Sequence, residues 1–107
     1  MRRAQARSDV YHAIADPTRR AILDKLRTAP AAVNAILADF PQSRPAISRH
    51  LRVLREARIV AEQRAGRERI YRIRPEELRQ VAMWIEGYRS FWQSSLENLK
   101  NHLEVKK

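Results

Sequence analysis

The sequence predicts a mainly α fold with one small β-hairpin, and three stretches of the chain predict it. In Ser43 to Ala57, written SRPAISRHLRVLREA, the residues Ile47, Leu51 and Leu54 recur at the spacing of a helix with one buried face. After Ala57 the period shortens to that of strands, in Ile59 to Gln63 and Arg69 to Ile73, around Gly66. From residue 78 onward Leu78, Val81, Ile85, Tyr88, Trp92, Leu96, Leu99 and Leu103 fall three or four apart, which is a helical seam. Together these describe one domain over residues 1–107: a winged helix-turn-helix of about five helices and a two-stranded wing.

Each element has its own warrant. From Asp9, the apolar Val10, Tyr11, Ile14 and Ala15 give a short first helix over residues 9–15. Asp16 before Pro17 is an N-cap followed by a proline in the first turn, and Ala21, Ile22, Leu23 and Leu26 supply the buried face of the second helix. Ala29 and Pro30 close it. Asn34 is positioned to cap a third helix, with Ile36, Leu37 and Phe40 inward. Phe40-Pro41-Gln42 leaves room only for a turn, so this helix and the next form a helix-turn-helix. The helix from Ser43 to Ala57 is capped by Ser43 and tolerates Pro45 in its first turn, where a missing N–H costs nothing. Its outer face carries Arg49 and Arg52, with Ala46 and Ser48 beside them. Residues 59–74 form the wing, with Arg64, Arg67 and Arg69 near its tip and Gly66 where the turn needs a positive φ. Pro75, Glu76 and Glu77 open a last helix running to residue 104. At about 29 residues it would span about 44 Å, longer than a domain of this size. Its overhang needs a second protomer, so Val10 and Ile14 of the first helix and Leu78, Val81, Ile85, Tyr88, Trp92, Leu96 and Leu99 are expected at a two-fold homodimer interface. Gly87 lies inside this last helix, off the seam, and marks a close crossing or a bend.

Charge points to the partner. The chain carries a net +10, and residues 41–74 hold ten arginines against three glutamates, whereas residues 75–107 are neutral. A polyanion is the expected partner of that middle third, nucleic acid ahead of a membrane surface. With no cysteine, disulfides, thiol switches and thiolate metal sites are excluded. No apolar run approaches the length of a membrane helix, and MRRAQARSD lacks the apolar centre of a secretory leader, so a cytoplasmic protein is expected. No glycine-rich phosphate loop, catalytic triad or apolar carboxylate pair argues for an enzyme.

The succession ADPTRRAIL, FPQSRPAISRHLRVLREA and GRERIYRIRPEEL resembles the ArsR family of winged helix-turn-helix repressors, over about residues 9–104. That resemblance implies a homodimer bound to an imperfect inverted repeat of double-stranded DNA, repressing transcription by excluding polymerase. It also implies that Ser43, Arg44, Ala46, Ser48, Arg49, His50 and Arg52 face DNA from the recognition helix, with the wing beside them. Members that sense thiophilic metals carry a cysteine pair near the helix matching Asn34 to Phe40, and AAVNAILADF has none. A second family metal site, on the last helices, could draw here only on His102 and Glu104, which do not share a helix face. The chain therefore resembles the metal-independent branch, and neither metal nor other cofactor is expected. Arg58 stands where the family usually has a glycine ending the recognition helix. Two other classes fit the charge alone: a basic RNA-binding module, disfavoured because the basic third has only Tyr71 for stacking, and a winged-helix adaptor that binds another polypeptide.

Overall fold

The computed structural model describes residues 9–105, and its elements run α1 (Val10–Ala13), α2 (Pro17–Thr28), β1 (Ala31–Ala32), α3 (Val33–Ala38), α4 (Arg44–Glu56), β2 (Val60–Ala65), β3 (Glu68–Ile73), α5 (Leu78–Glu86) and α6 (Arg89–Val105). Local caps explain where three helices begin. The carboxylates of Asp9 and Asp16 accept from the amides of His12 and Arg19, and the hydroxyl of Ser43 accepts from the amide of Ala46 at 3.3 Å. Each satisfies one N–H that a helix start leaves unpaired.

Helix α4 ends in a Schellman motif. The amide of Arg58 donates to the carbonyl of Arg55 and that of Ile59 to the carbonyl of Leu54, while Arg58 takes a φ of +64°. Leu54 and Ile59, both at 0 % exposure, make the apolar contact that accompanies such an end. The chain then enters β2 already turned back across α4. At the wing tip Gly66 has φ +66° and Arg67 does not share it, so the two-residue loop has the type II′ pattern.

The core lies where α1, α2, α3, α4 and the sheet meet. Ile47, Leu51 and Leu54 of α4 pack with Ile22, Leu23 and Leu26 of α2, Ile36 of α3 and Val60 and Tyr71 of the sheet. Burying each of the three α4 side chains contributes about 1.5–3 kcal/mol. This packing orients the opposite face of α4 outward.

The structure adds to or departs from the sequence expectations in several places. The sheet has three antiparallel strands in the order β1-β3-β2, because Ala31 and Ala32 pair with Tyr71 and Ile70. Helix α3 begins at Val33 without a side-chain cap, and Asn34, expected as that cap, instead accepts from Arg44 at 2.7 Å. The single last helix is two helices, α5 and α6. At the break the amides of Gly87 and Tyr88 bond three residues back, to Trp84 and Ile85, in place of the four-residue step. Helix α5 also starts at Leu78 rather than Pro75. Finally, Val10 is 3 % exposed in the protomer's own core, and Ile14, Leu78 and Val81 pack against that core. Of the residues expected between protomers, these four already have partners within one chain.

Candidate nucleic-acid interface

The outward face of α4 and the inner face of the wing enclose an open cleft of about 400 Å³. Arg44, Ser48, Arg52 and Arg55 line it from α4, spaced four, four and three apart, so they form one stripe. Arg67, Glu68, Arg69 and Tyr71 line it from the hairpin, and Ala32, Val33 and Asn34 close one end. Five guanidinium groups against one carboxylate make this a concave cationic surface.

The arginines are not equivalent. Arg44 is tied to Asn34, while Arg55 and Arg69 each pair with Glu62 of β2 at 3.2 Å. Arg49, Arg52, Arg64 and Arg67 have no ion-pair partner among the described residues. Tyr71 donates its hydroxyl to the same Glu62 carboxylate at 3.3 Å. Burial, the Glu62 charge and that hydrogen bond push the Tyr71 phenol above its ordinary value against the opposing pull of Arg55 and Arg69, so it is a neutral donor.

Of the residues expected on this face, Arg44, Ser48, Arg52, Arg67 and Arg69 meet in the cleft. Ser43, Ala46 and Arg49 lie outside its lining, with Arg49 exposed on α4 and Ala46 half-buried. Arg64 lines an adjoining cup of about 330 Å³ with Arg55, Glu62 and Arg69.

His50 turns away from the cleft. It points back into the protomer, its Nδ1 3.2 Å from a guanidinium nitrogen of Arg19 and 3.9 Å from Asp16. A guanidinium can only donate, so in the neutral ring Nδ1 accepts and the proton sits on Nε2. Arg19 also donates to the carbonyls of Ala13 and His12, and thereby joins α1, α2 and α4. Sequence reasoning placed Asn34 as a cap and left Glu62 and Tyr71 without a role. Arg55 was legible as the next residue of the stripe begun by Arg44, Ser48 and Arg52.

The last helices carry a second feature. Trp84, Ile85, Tyr88, Phe91 and Trp92 line a shallow apolar cup of about 610 Å³. Beyond it Leu96, Leu99 and Leu103 are each more than half exposed. Tyr11 of α1 stacks edge-on against Trp84 at 6.2 Å and donates to the carbonyl of Gln80, which joins α1 to α5. Among the described residues no three His, Cys, Asp or Glu side chains gather as metal ligands, and no helix is long and apolar enough to cross a membrane.

The geometry has close counterparts. Residues 16–62, from the start of α2 into β2, match the arsR family of bacterial regulatory proteins. HTH-type transcriptional regulator Rv2034 of Mycobacterium tuberculosis is 41% identical over 86 residues, which covers 80% of this chain and 78% of that protein. This chain belongs to the ArsR family. The transcriptional repressor SdpR of Bacillus subtilis is 35% identical over 76% of the chain and 90% of its own length. In structure, an ArsR-like transcriptional regulator from Rhodococcus sp. RHA1 superposes with a TM-score of 0.66 at 33% identity, over 86% of this chain and 87% of that one. The fold is thus the family's winged helix-turn-helix, and the chain is a DNA-binding transcriptional regulator whose named relatives are regulators rather than enzymes.

Proposed function

We propose that this ArsR-family chain is a repressor, acting as a homodimer on an inverted repeat of double-stranded DNA and excluding polymerase from the promoter. The arginine stripe of α4, facing a cleft closed by the wing, carries this reading. A helix of that width fits the major groove, and the wing then follows the adjoining backbone. Two such helices related by a two-fold axis enter grooves about 34 Å apart or a multiple of it. The protein works by binding alone, in the cytoplasm where bacterial DNA lies, and needs no metal.

Within this reading the residues divide by chemistry. Arg52, Arg64 and Arg67 meet phosphates and supply most of the affinity, whereas Arg55 lies on the same face but is paired with Glu62. Arg44, Ser48 and Arg49 read base edges, with Arg49 on guanine because its side chain is exposed and has no ion-pair partner among the described residues. His50 contributes by fixing α4 on Arg19 and Asp16 rather than by touching DNA. Ser43 and Ala46 shape the approach at the start of α4.

The test begins with selection of bound fragments from the source genome at physiological salt, which yields the operator. Arg49→Ala is then titrated against it at fixed salt. The expected loss is about 1–3 kcal/mol, or about 5- to 160-fold, with relaxed preference at one base pair. Unchanged affinity for the operator would remove Arg49 from base readout. Retention of RNA in preference to duplex DNA of equal length would overturn the reading altogether.

A further inference from the structure

The β2–β3 register places Val60, Glu62 and Arg64 on one face of the wing, opposite Ile73, Tyr71 and Arg69. This is the face turned toward α4, because Val60 and Tyr71 are buried and Arg55 reaches Glu62 from α4. Arg64 and Arg69 are direct cross-strand partners. Like charges so placed repel. Three guanidinium groups, from Arg55, Arg64 and Arg69, therefore surround one carboxylate in a cup open to solvent. Both oxygens of the carboxylate are engaged: Arg55 binds Oε1, while Arg69 and the Tyr71 hydroxyl meet Oε2.

Stability alone does not account for this arrangement. The Arg55 and Arg69 side chains are 42% and 57% exposed, and ion pairs that open to water add little to folding. The same two arginines are cations of the DNA-facing surface, and a carboxylate is the protein group that most resembles a phosphate oxygen pair. We propose that Glu62 is a specificity-determining residue: it occupies Arg55 and Arg69 in place of DNA phosphates, and so holds back the affinity of the wing for duplex of any sequence. This rests on the reading of the cleft as the DNA-binding face. A chain with net +10 binds any polyanion tightly, and the excess of non-specific sites in a genome makes such binding costly to specificity. Muting two arginines that read no base improves the ratio without touching Arg44, Ser48 or Arg49.

The test is a salt series of duplex titrations on the full chain, with random-sequence and operator DNA. Glu62→Gln keeps the size and one acceptor oxygen but removes the charge. For random duplex the slope of log affinity against log salt is expected to steepen by about 0.9–1.8, one to two extra phosphates. Lowering salt fourfold then favours the variant by a further 3- to 12-fold or so relative to wild type. Operator affinity is expected to rise less than random-duplex affinity, so the ratio between them falls. A role confined to fold integrity predicts weaker binding with an unchanged or shallower slope, and that result overturns the proposal. Two further variants make the test independent of how Glu62→Gln folds. Arg67→Gln removes a cation with no ion-pair partner among the described residues and is expected to flatten the wild-type slope by about 0.9, whereas Arg69→Gln, at a cation already held by Glu62, flattens it by less than half as much. Equal effects overturn the proposal. Wild type with no salt-dependent duplex binding at all would instead overturn the DNA-face reading beneath it.

Discussion

Asp16 shows how much one side chain can settle. It caps α2 through the amide of Arg19, and it faces both Arg19 and, from the middle of α4, His50. Burial raises the cost of its charge. The amides of Arg19 and Thr18 and the positive charges of Arg19 and a protonated His50 outweigh that cost, so its carboxyl titrates below its ordinary 3.8. A carboxylate with a depressed folded pKa stabilises the native state above its unfolded value, and that contribution disappears as pH falls through the folded one. Asp16→Asn keeps a capping oxygen without the charge. Above pH 4 the variant is expected to be less stable by about 0.3–1 kcal/mol, and denaturant titrations should show the gap closing as pH falls below 3.8. A gap that persists into more acid solution would mean that the charge contributes nothing. Caps such as Asp16 and Ser43 were legible because each serves an amide three residues ahead. Asn34 was not, because its oxygen is claimed by Arg44, ten residues away in sequence and adjacent only once α3 and α4 have packed. The partners of His50 were illegible for the same reason: they lie on α2 and its cap, and periodicity within α4 does not reveal them.

At the level of elements, the seam between α4 and β2 carries both the legible and the illegible. Apolar spacing located α4 and the two hairpin strands because burial imposes the periods 3.6 and 2 on sequence. β1 has two alanines and no period to read; only pairing with Tyr71 and Ile70 makes it a strand. The missing glycine at the end of α4 was legible, and it is consequential. Arg58 holds φ +64° because both of its neighbouring hydrogen bonds and the Leu54–Ile59 contact require it. A side chain in the left-handed region costs about 1–2 kcal/mol relative to glycine. Arg58→Gly is therefore expected to stabilise the fold by about 1 kcal/mol, raising the thermal midpoint by about 4–8 °C. A midpoint that stays level or falls would show that the arginine makes a compensating interaction. The C-terminal seam misled in the opposite way. Its three-four spacing continues across position 87 and announces one helix; only Gly87 itself signals the bend, where the backbone turns through two three-residue steps.

The whole molecule is 60 Å in its longest dimension with a radius of gyration of 18.1 Å, against about 13 Å for a compact domain of this length. The excess lies in α5 and α6, whose large apolar side chains find little to cover them in one chain. Met83, Phe91, Leu96, Leu99 and Leu103 are all 54–69% exposed, and an apolar arm of this kind marks an interface in a protein of otherwise polar surface. With the proposed two-fold, the arm of one protomer meets that of its partner and both α4 stripes face one duplex. The energetic consequence is an effective concentration: once one α4 is seated, the second binds its half-site as an intramolecular step, which adds about 10²–10⁴ to affinity for a correctly spaced repeat. Leu96 and Leu99 lie outside the protomer core, so replacing both with lysine should leave the fold intact. The Leu96→Lys, Leu99→Lys variant is expected to sediment as a monomer, to bind an isolated half-site like wild type, and to lose about that factor on the full inverted repeat. If instead the wild type sediments as a single subunit at micromolar concentration and still grips the repeat tightly, the arm has another partner and the spacing of the half-sites must be set by the DNA alone.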